Sequence, residues 1–554
     1  MPGPLFDRQR GLAEERNNYM KVDVLVAEIG STTTVVNAFQ DINTDHPVFW
    51  AQGQAPTSVM DGDVRIGLQG AIDDLCQKMG IESLEYNEML ATSSAAGGLK
   101  MTVHGLVYDM TAKAAKEAAL GAGGIIHYIT AGRLRRTDLQ KIKDIRPNLI
   151  LIAGGVDFGE RDTAIYNAEM IRSLNLGVPV IYAGNVENQD EMKLIFDEES
   201  GSRLYLVENV YPKIDDLNVE PAREVIQGAF EDHIIHAPGM EHVRDMVNGP
   251  IIPTPGAVME CTKLLNDCIG DVVTIDVGGA TTDVHSVCEE SDLVARIMTS
   301  PEPKAKRTVE GDLGVYVNQK NIVEIIGREE LEEDLPGVDL DKVMAEYKAI
   351  PKNDQERAYV ERLTKEAVIR SVERHAGQIR YIYGPSGRST VAEGKDLTQV
   401  KYIIGTGGAL TRLPHRVEIM EEIAKHNETG LLLFPSESAQ ILVDNDYIMA
   451  SLGVLSRKYR EGAIRLLEQS LNFKFPSEEE RANRGKPAYL AELERLEAER
   501  LEKERIEEEH RKHLEEEGWE CVDGQYRKKL TEEEKQLEEA DDRPVKCAFE
   551  RERC

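Results

Sequence analysis

The sequence lacks the features that mark metal-cluster, membrane-spanning and nucleic-acid-binding proteins. Its seven cysteines are scattered and include no CxxC pair, which offers neither a zinc site nor an iron–sulfur cradle. No apolar run reaches about 18 residues, so no segment is predicted to span a bilayer. Acidic residues outnumber basic ones by 99 to 66, and the net charge of −33 speaks against nucleic acid or an anionic membrane as a partner.

Length and composition predict a multi-domain cytoplasmic protein. Residues 1–20 are polar and of mixed charge, unlike a signal peptide, and the unpatterned cysteines fit a reducing compartment. Aromatic residues are scarce, at 5%, but hydrophobic residues make up 41% of the 554 positions, enough for real cores. Because a single core stops growing near about 250–300 residues, the chain should form two or more compact units.

The composition changes abruptly after Phe475. Residues 488–517 are mostly Glu, Arg, Lys and Leu, and pairs such as Glu492 and Arg495 stand three positions apart, which favours a solvated helix. The apolar positions do not sustain a heptad repeat, so a lone charged helix or a partner-docking arm is favoured over a coiled coil.

The stretch Val272–Val287, VVTIDVGGATTDVHSV, predicts a buried strand, a tight turn and a second strand. It contains two glycines, two threonines and two aspartates: Gly278, Gly279, Thr281, Thr282, Asp276 and Asp283. Such glycines let backbone N–H groups approach a phosphate, the hydroxyls add donors, and the carboxylates can hold a hydrated Mg²⁺. An ordinary hairpin with a Gly-Gly turn is the alternative interpretation.

The stretch Val22–Asn37, VDVLVAEIGSTTTVVN, repeats this pattern near the start of the chain. An apolar strand carries Glu28 near its end, Gly30 follows, and then come the hydroxyl residues Ser31, Thr32 and Thr33. Two such hairpins together predict a pair of loops that hold a triphosphate from two sides. Because neither loop offers a lysine, charge neutralisation would fall to Mg²⁺ and backbone dipoles.

Two further segments complete the pattern of an α/β protein. Leu149–Ala153, Thr163–Leu174 and Val178–Ala183 read as strand, helix and strand, which predicts a parallel sheet. Farther along, the strand that begins at Tyr402 runs into GTGGAL, with Gly405, Gly407 and Gly408. Bare backbone there suits a purine or ribose, and a plain strand–helix turn is the alternative.

The segments AEIGSTTT, IDVGGATTD and IGTGGAL resemble the two phosphate motifs and the adenosine motif of the actin/hexokinase/Hsp70 ATPase superfamily. Within it the chain resembles the MutL (GlmL) family of glutamate mutase accessory proteins over residues 22–460. The segments that carry this resemblance are ATSSAAGGLKMTVHGLVYDM, AALGAGGIIH, LIAGGVDFGE, VIYAGN and KRTVEGDLG.

The resemblance implies an α/β fold: a two-lobed actin-like ATPase built from ribonuclease H-like repeats, with an added charged helical C-terminal tail. The implied divisions are a flexible leader at 1–20, a first lobe with an inserted α/β subdomain at 21–265, a second lobe at 266–475, and the tail at 476–554.

The resemblance also implies roles for the motif residues. Gly30, Ser31, Thr32 and Thr33 would hold the β- and γ-phosphates from one side, and Gly278, Gly279, Thr281 and Thr282 from the other. Asp276, Asp283 and Glu28 would position Mg²⁺, through water, and the attacking water. Gly405, Gly407 and Gly408 would lie along adenosine. Because Glu28 replaces the usual Asp, and Val35 the Lys of related activators, we expect ATP hydrolysis to be slow.

The implied function is a chaperone-like ATPase that reactivates an adenosylcobalamin-dependent mutase or aminomutase by ATP-driven exchange of damaged cobalamin. Adenosylcobalamin then belongs to the client enzyme, which the sequence does not specify, and a homodimer is one expected assembly. Two other classes stay open: a small-molecule kinase or ATP-dependent amidohydrolase on the same fold, and a non-catalytic actin-like scaffold.

Histidines near these motifs suggest two other sites, which the residues do not support. Asp283–Cys288 approaches the D-x-H-x-x-G pattern of cobalamin-binding subunits but ends in cysteine, so His285 is expected to be a core or edge residue. His233 and His236 have no third ligand placed to complete a metal site, and a surface or capping role is expected for them.

Overall fold

The first predicted hairpin opens a five-stranded sheet in the computed structural model of the protein. The structure describes residues 19–30, 33–95, 99–197, 201–236, 239–240, 242–384, 387–427, 429–477 and 480–481, and short stretches between 505 and 528. Among the described residues, those up to Phe475 form one compact unit and those from Pro476 onward a second.

The first sheet begins as an antiparallel meander. Its opening elements are β1 (Tyr19–Ile29), β2 (Thr33–Gln40), β3 (Val48–Pro56), α1 (Val64–Met79) and β4 (Ser83–Ser93). β1 pairs antiparallel with β2 and parallel with β4, and β2 pairs antiparallel with β3. Most of the apolar run in β1 is buried, as expected for a strand covered on both faces. The Asp63 side chain caps α1, and Gly80 ends the helix with a left-handed backbone.

An inserted α/β unit follows. Its elements are β5 (Lys100–Gly105), a π-helical turn (Tyr108–Ala112), α2 (Lys113–Gly121), β6 (Ile125–Ala131), α3 (Arg136–Ile145), β7 (Leu149–Ile152), α4 (Asp162–Ser173), β8 (Val180–Tyr182), α5 (Gln189–Ile195) and β9 (Leu204–Leu206). All five strands are parallel, in the order β6-β5-β7-β8-β9. The strand–helix–strand unit predicted around residues 149–183 is thereby confirmed.

The chain then returns to the first sheet. The connecting elements are α6 (Glu220–Ile235), α7 (Val243–Met246), β10 (Ile251–Pro253) and α8 (Thr254–Ile269). β10 adds to the edge of β4 in parallel and completes the strand order β3-β2-β1-β4-β10.

The remainder of the first compact unit begins with the second predicted hairpin. Its elements are β11 (Val272–Val277), β12 (Thr282–Val287), α9 (Asp292–Ala295), β13 (Ala305–Glu310), α10 (Gln319–Ile326), α11 (Arg328–Asp334), α12 (Leu340–Glu346), α13 (Asp354–His375), β14 (Gln378–Gly384), β15 (Gly387–Glu393), β16 (Tyr402–Thr406), α14 (Gly407–Arg412), α15 (Arg416–Lys425), β17 (Gln440–Val443), α16 (Met449–Ser456) and α17 (Arg460–Ser470). In the tail, β18 (Trp519–Val522) and β19 (Gln525–Lys528) pair antiparallel.

The two main sheets have the same topology. The second sheet has the order β13-β12-β11-β16-β17, with three antiparallel strands followed by two parallel ones, which matches β3-β2-β1-β4-β10 in the first. This duplicated arrangement is the ribonuclease H-like repeat of actin-like ATPases, so the expected fold is confirmed. One hydrophobic cluster contains residues of both sheets, among them Val24 and Ile404, together with residues of α8, α16 and α17.

From their own residues, Lys304–Gly314 reads as a loop, residues 328–400 as largely helical and Leu431–Phe434 as a strand, and the structure corrects each of these predictions at least in part. The charged segment KAKRTVEGDLG, expected to be a loop, forms β13 over its first half, because pairing with β12 overrides its polar composition. The end of the region predicted to be helical, 378–393, forms the β14–β15 hairpin. Leu431–Phe434, expected to be a strand, makes only one isolated bridge, between Gln378 and Leu432.

Residues 1–18 of the expected leader and most of the charged tail lie outside the described residues, whereas Tyr19 and Met20 already belong to β1. Within the helix expected over 488–517, the described residues 505, 508, 510 and 512–514 are helical. Nowhere in the described part of the chain is a helix both long and apolar enough to cross a membrane.

Alanine substitutions at two glycines inside helices should have opposite effects on stability. A Cβ on Gly453 in α16 would overlap the carbonyl oxygen of Ala257 in α8, whereas a Cβ on Gly228 in α6 meets nothing within 4 Å. Gly453→Ala should therefore lower the free energy of unfolding by about 1–3 kcal/mol through overpacking. Gly228→Ala should leave it unchanged or raise it by up to about 1 kcal/mol. Denaturant unfolding of both variants tests this, and equal effects would contradict the close packing of α8 on α16.

Candidate functional site

The two predicted loops are built in the same way. The backbone N–H of Gly30 donates to the Thr33 carbonyl (3.0 Å), and that of Gly278 to the Thr281 carbonyl (2.9 Å). A Cβ on Gly30 would stand 2.6 Å from the Thr33 oxygen, so this turn requires glycine. Each loop follows the strand of its sheet that carries the predicted acid. Ser31 and Thr32 lie outside the described residues.

Glu28 is buried beneath the first loop and held by a helix from the far end of the chain. Its Oε1 accepts hydrogen bonds from the Ser451 hydroxyl (2.6 Å) and the Asn37 amide (3.2 Å). Burial raises the pKa of Glu28 to about 7 against the lowering effect of the Ser451 hydrogen bond, and the negative charge of Asp444 raises it further.

Asp276 occupies the corresponding position in the second hairpin, where it is partly exposed. Burial raises its pKa to about 7, and the carboxylates of Asp283, Glu28 and Asp444 add to the rise through repulsion. The predicted acids of both hairpins thus lie close enough to influence one another, across two sheets that are remote in sequence.

Asp444 is an acid of this group that the sequence reasoning missed. It is fully buried, its Oδ2 accepts from the Thr406 hydroxyl (2.9 Å) and the Met449 N–H (3.0 Å), and the Ser470 hydroxyl donates to its Oδ1 (2.6 Å). An Asp ahead of an apolar helix is an N-cap signal, and that signal could have drawn attention to Asp444 before α16.

Asp283 has a cationic partner of its own. The Arg307 guanidinium on β13 donates to Asp283 Oδ1 through Nη2 (2.6 Å) and Nε (2.9 Å), and both side chains are buried. Thr281 donates its hydroxyl to Asp283 Oδ2 (3.1 Å). Of the two aspartates in this hairpin, Asp276 is therefore the one without an ion-pair partner among the described residues. Arg307 was missed because its segment reads as a charged loop.

The other loop residues differ in what they can offer a ligand. Thr282 is fully buried and donates its hydroxyl to the Leu313 carbonyl (2.7 Å), which fastens the loop to the segment after β13. Gly279 is exposed, and its carbonyl accepts from the Tyr316 N–H (2.9 Å). Thr33 is exposed at the first turn. Gly279 and Thr33 are thus open to a ligand, whereas the Thr282 hydroxyl is engaged.

The three glycines after β16 also differ. A Cβ on Gly405 would press on Met420, so this glycine serves internal packing. Gly407 has a left-handed backbone (φ +82°), and a Cβ there would overlap Asp276 Oδ1, so it allows the chain to pass the acid. Gly408 is exposed with nothing within 4 Å of its Cβ direction, which makes it the one of the three open to a ligand.

The carboxylates of this site fit a hydrated cation that is also bound by phosphate oxygens. No three His, Cys, Asp or Glu side chains in the described residues form a group that could hold a metal ion. Acids whose pKa values are raised by burial and mutual repulsion are nevertheless stabilised in their ionised form by a nearby cation. Mg²⁺ keeps several waters and is bound through one or two carboxylates plus phosphate oxygens, which this arrangement allows.

The histidines take structural positions. His285 is fully buried, neither ring nitrogen has a hydrogen-bond partner, and burial followed by the charge of Arg307 lowers its pKa well below the usual value. The His236 ring lies at the end of α6, where Nδ1 bonds to the Asp232 carbonyl (2.6 Å).

The sequence matches one known protein family over most of its length. The family model described as "MutL protein" matches residues 24–471. "Protein MutL" of Clostridium tetanomorphum is 35% identical over 461 residues, which cover 81% of this chain and 98% of that protein.

Solved structures resemble the chain only distantly. A nucleotide-free diol dehydratase-reactivating factor is 10% identical, with a TM-score of 0.33, over 79% of this chain and 99% of that one. A nucleotide-free acetone carboxylase is 13% identical, with a TM-score of 0.35, over 78% and 70%. At these values the fold assignment depends on the strand order of this chain.

The raised pKa values of Glu28 and Asp276 predict that the protein becomes less stable as the pH rises. Glu28 and Asp276 bind their protons more tightly in the folded protein, with pKa values of about 7 against ordinary values of 4.5 and 3.8. The folded state is therefore favoured at low pH and loses this advantage as the pH rises from about 4 to 7. Glu28→Gln and Asp276→Asn should each raise the free energy of unfolding at pH 8 by about 1–3 kcal/mol and flatten its pH dependence.

Denaturant unfolding in EDTA, without nucleotide, measures this effect. The matched control is Asp267→Asn on the exposed face of α8, which removes an exposed ion pair with Arg460 and should lower the stability by no more than about 1 kcal/mol, without raising it at pH 8. Variants that gain no stability at pH 8 would show that these acids are not held close together.

Proposed function

The chain belongs to the MutL protein family, and from that premise we propose that it is a chaperone-like ATPase acting on an adenosylcobalamin-dependent mutase or aminomutase. In this proposal it binds ATP between its two lobes and uses ATP to release damaged cobalamin from the client, so that intact cofactor can enter. The observation that carries the nucleotide part is the pair of equivalent glycine turns, each beside an acid with a raised pKa, in two sheets of identical strand order.

The proposed roles follow the side chains that are open to a ligand. Backbone N–H groups and hydroxyls at Gly30 to Thr33 hold the phosphates from the first lobe, and those at Gly278 to Thr281 hold them from the second. Asp276 and Glu28 would hold a hydrated Mg²⁺. Mg²⁺ supplies the positive charge that these loops, which contain no lysine, do not provide. Asp283 keeps Thr281 oriented through its hydrogen bond.

The proposed cycle requires that nucleotide favour one arrangement of the lobes. A ligand shifts a conformational equilibrium only by its difference in affinity for the two states, and a shift from 1:99 to 99:1 takes about 5.5 kcal/mol. Helix α16 contacts acids of both lobes and could therefore respond to nucleotide binding. Its Ser451 hydroxyl donates to Glu28 of the first lobe, and its first N–H group, that of Met449, donates to Asp444 of the second lobe. A change in either loop therefore reaches this helix directly.

Substitutions at Gly407 and Gly408 should have different effects, the first on stability and the second on nucleotide binding. Gly407→Ala is expected to lower the free energy of unfolding by about 1–3 kcal/mol, because it meets both an unfavourable backbone conformation and the Asp276 side chain. Gly408→Val should leave stability nearly unchanged and weaken ATP binding about tenfold, because its side chain would occupy the space proposed for adenosine. Calorimetry with Mg·ATP measures this. An unchanged ATP affinity in Gly408→Val would contradict the proposed contact between Gly408 and adenosine.

Reactivation of an inhibited mutase tests the function itself. A mutase inhibited with cyanocobalamin should recover when the purified protein, ATP and adenosylcobalamin are added together. Asp276→Ala should abolish recovery and lower slow ATP hydrolysis by at least about 100-fold, a size typical of a lost charged group at a reacting phosphate. Asp267→Ala, an exposed acid on α8, is the control and should behave as wild type.

Other outcomes would support the alternative functions. Phosphorylation of a small metabolite, with no recovery of any mutase, would contradict the proposal in favour of a kinase. ATP-dependent sedimentation without client recovery would favour a scaffold.

A further inference from the structure

A cavity of about 800 Å³ lies away from the nucleotide loops, between the inserted α/β unit and the second lobe. One wall is formed by the π-helical turn and α2, from Tyr108 to Glu117. The opposite wall is formed by the segment 299–306, which leads into β13, and by the β14–β15 hairpin.

The rim of this cavity concentrates exposed aromatic side chains in a chain that has few. Among the described residues, five aromatic side chains are more than a third exposed, and three of them, Tyr108, Tyr381 and Tyr383, line this cavity. Ile382, between the last two, is half exposed. Clusters of exposed apolar side chains mark protein interaction sites, and tyrosine is enriched in such interfaces.

The floor of the cavity contains a buried carboxylate oxygen that lacks a hydrogen-bond donor. Glu117 is almost fully buried, and its Oε2 has no hydrogen-bond partner within the described chain. Three of the four cations that line the cavity are engaged: Lys113 and Lys306 both pair with Glu302 (2.6 and 2.8 Å), and Arg380 pairs with Glu393. The fourth, Lys116, is adjacent to Glu117 on α2, where neighbouring side chains do not face each other, and it has no ion-pair partner among the described residues. A buried acceptor without a donor is costly, and a cationic donor from a ligand satisfies it best.

We propose that this cavity receives a segment of a partner protein that presents an arginine or lysine side chain between apolar residues. The cation bonds to Glu117, and the faces of Tyr108, Tyr381 and Tyr383 pack against its stem and the flanking apolar side chains. The inference rests on the proposed function, in which a client protein docks on this chain.

The cavity is joined to the nucleotide loops by one strand and one helix. Adjacent residues of a strand point to opposite faces. On β13, Lys306 points to the cavity, where it pairs with Glu302, and Arg307 points to Asp283 beside the second loop. Arg307 also donates through Nη1 to the carbonyl of Leu120 on α2 (2.9 Å), the helix that carries Glu117. A segment bound in the cavity therefore contacts elements that also hold the nucleotide loop.

The proposal is tested first with peptides. The probes are N-acetyl-Gly-Leu-Arg-Leu-Gly amide and the same peptide with Gln in place of Arg, titrated onto the full-length protein and followed by calorimetry. The Arg peptide should bind about tenfold more tightly than the Gln peptide, as expected for one charge-assisted hydrogen bond. Glu117→Gln should abolish this difference, and Tyr383→Ala should weaken both peptides severalfold.

The control for the rim is Phe158→Ala. Phe158 is 79% exposed, against 77% for Tyr383, and it does not line the cavity. Equal binding of the two peptides, an unchanged preference in Glu117→Gln, or equal effects of Phe158→Ala and Tyr383→Ala would overturn the proposal. The missing donor for Glu117 would then be an ordered water.

A second measurement separates this proposal from the proposed function. Binding and reactivation of a purified adenosylcobalamin-dependent mutase are compared for wild type, Glu117→Gln and Tyr383→Ala. Client affinity reduced about tenfold in both variants, with unchanged Mg·ATP binding, supports the docking site. A client bound and reactivated equally by all three proteins overturns the docking site and leaves the function standing. Arg-peptide binding without any mutase binding contradicts the function and leaves the cavity's preference standing.

Discussion

The crowding of carboxylates with little solvent around them is the constraint around which this protein is arranged. Glu28, Asp276 and Asp444 come from three distant parts of the chain; burial raises the pKa values of Glu28 and Asp276, and the negative charge of Asp444 adds to both rises. Holding them together requires donors on every side, which Ser451, Thr406 and the start of α16 provide. A fold that only needed stability would place apolar residues there, so the arrangement indicates a ligand that supplies positive charge.

The duplicated sheets explain why an acid followed by a glycine turn occurs twice in one chain. Each repeat places a strand, an acid and a glycine turn at the same point of an antiparallel meander, and packing the repeats on either side of α8 and α16 brings the turns together. β13 extends this arrangement outward, because Arg307 neutralises Asp283 while its neighbour Lys306 contributes to the cavity below the β14–β15 hairpin. β13 thus contacts both the second glycine turn and the proposed docking cavity.

The sequence was informative where a residue's role depends on its neighbours in the chain. Both hairpins, the parallel inserted unit and the strand–helix turn at Gly407 follow from local patterns of apolar, glycine and hydroxyl residues, and the structure has them. Arg307 could not be assigned from such patterns, because its partner Asp283 is 24 residues away. Asp444 has a local signal in its position ahead of α16, but its bonds to Ser470 and Thr406 span 26 and 38 residues. The same limit applies to Thr282 and Gly405: their motif positions suggest a ligand, but distant residues, Leu313 and Met420, occupy the space beside them.

The central claim is that one nucleotide is held by both hairpins at once. Amide hydrogen exchange with and without Mg·ATP tests it directly, because the proposed phosphate contacts are backbone N–H groups. The account predicts slower exchange in both Gly30–Thr34 and Gly278–Thr282, with the same dependence on ATP concentration. Protection confined to one of these segments, or absent from both while ATP is bound, would contradict it.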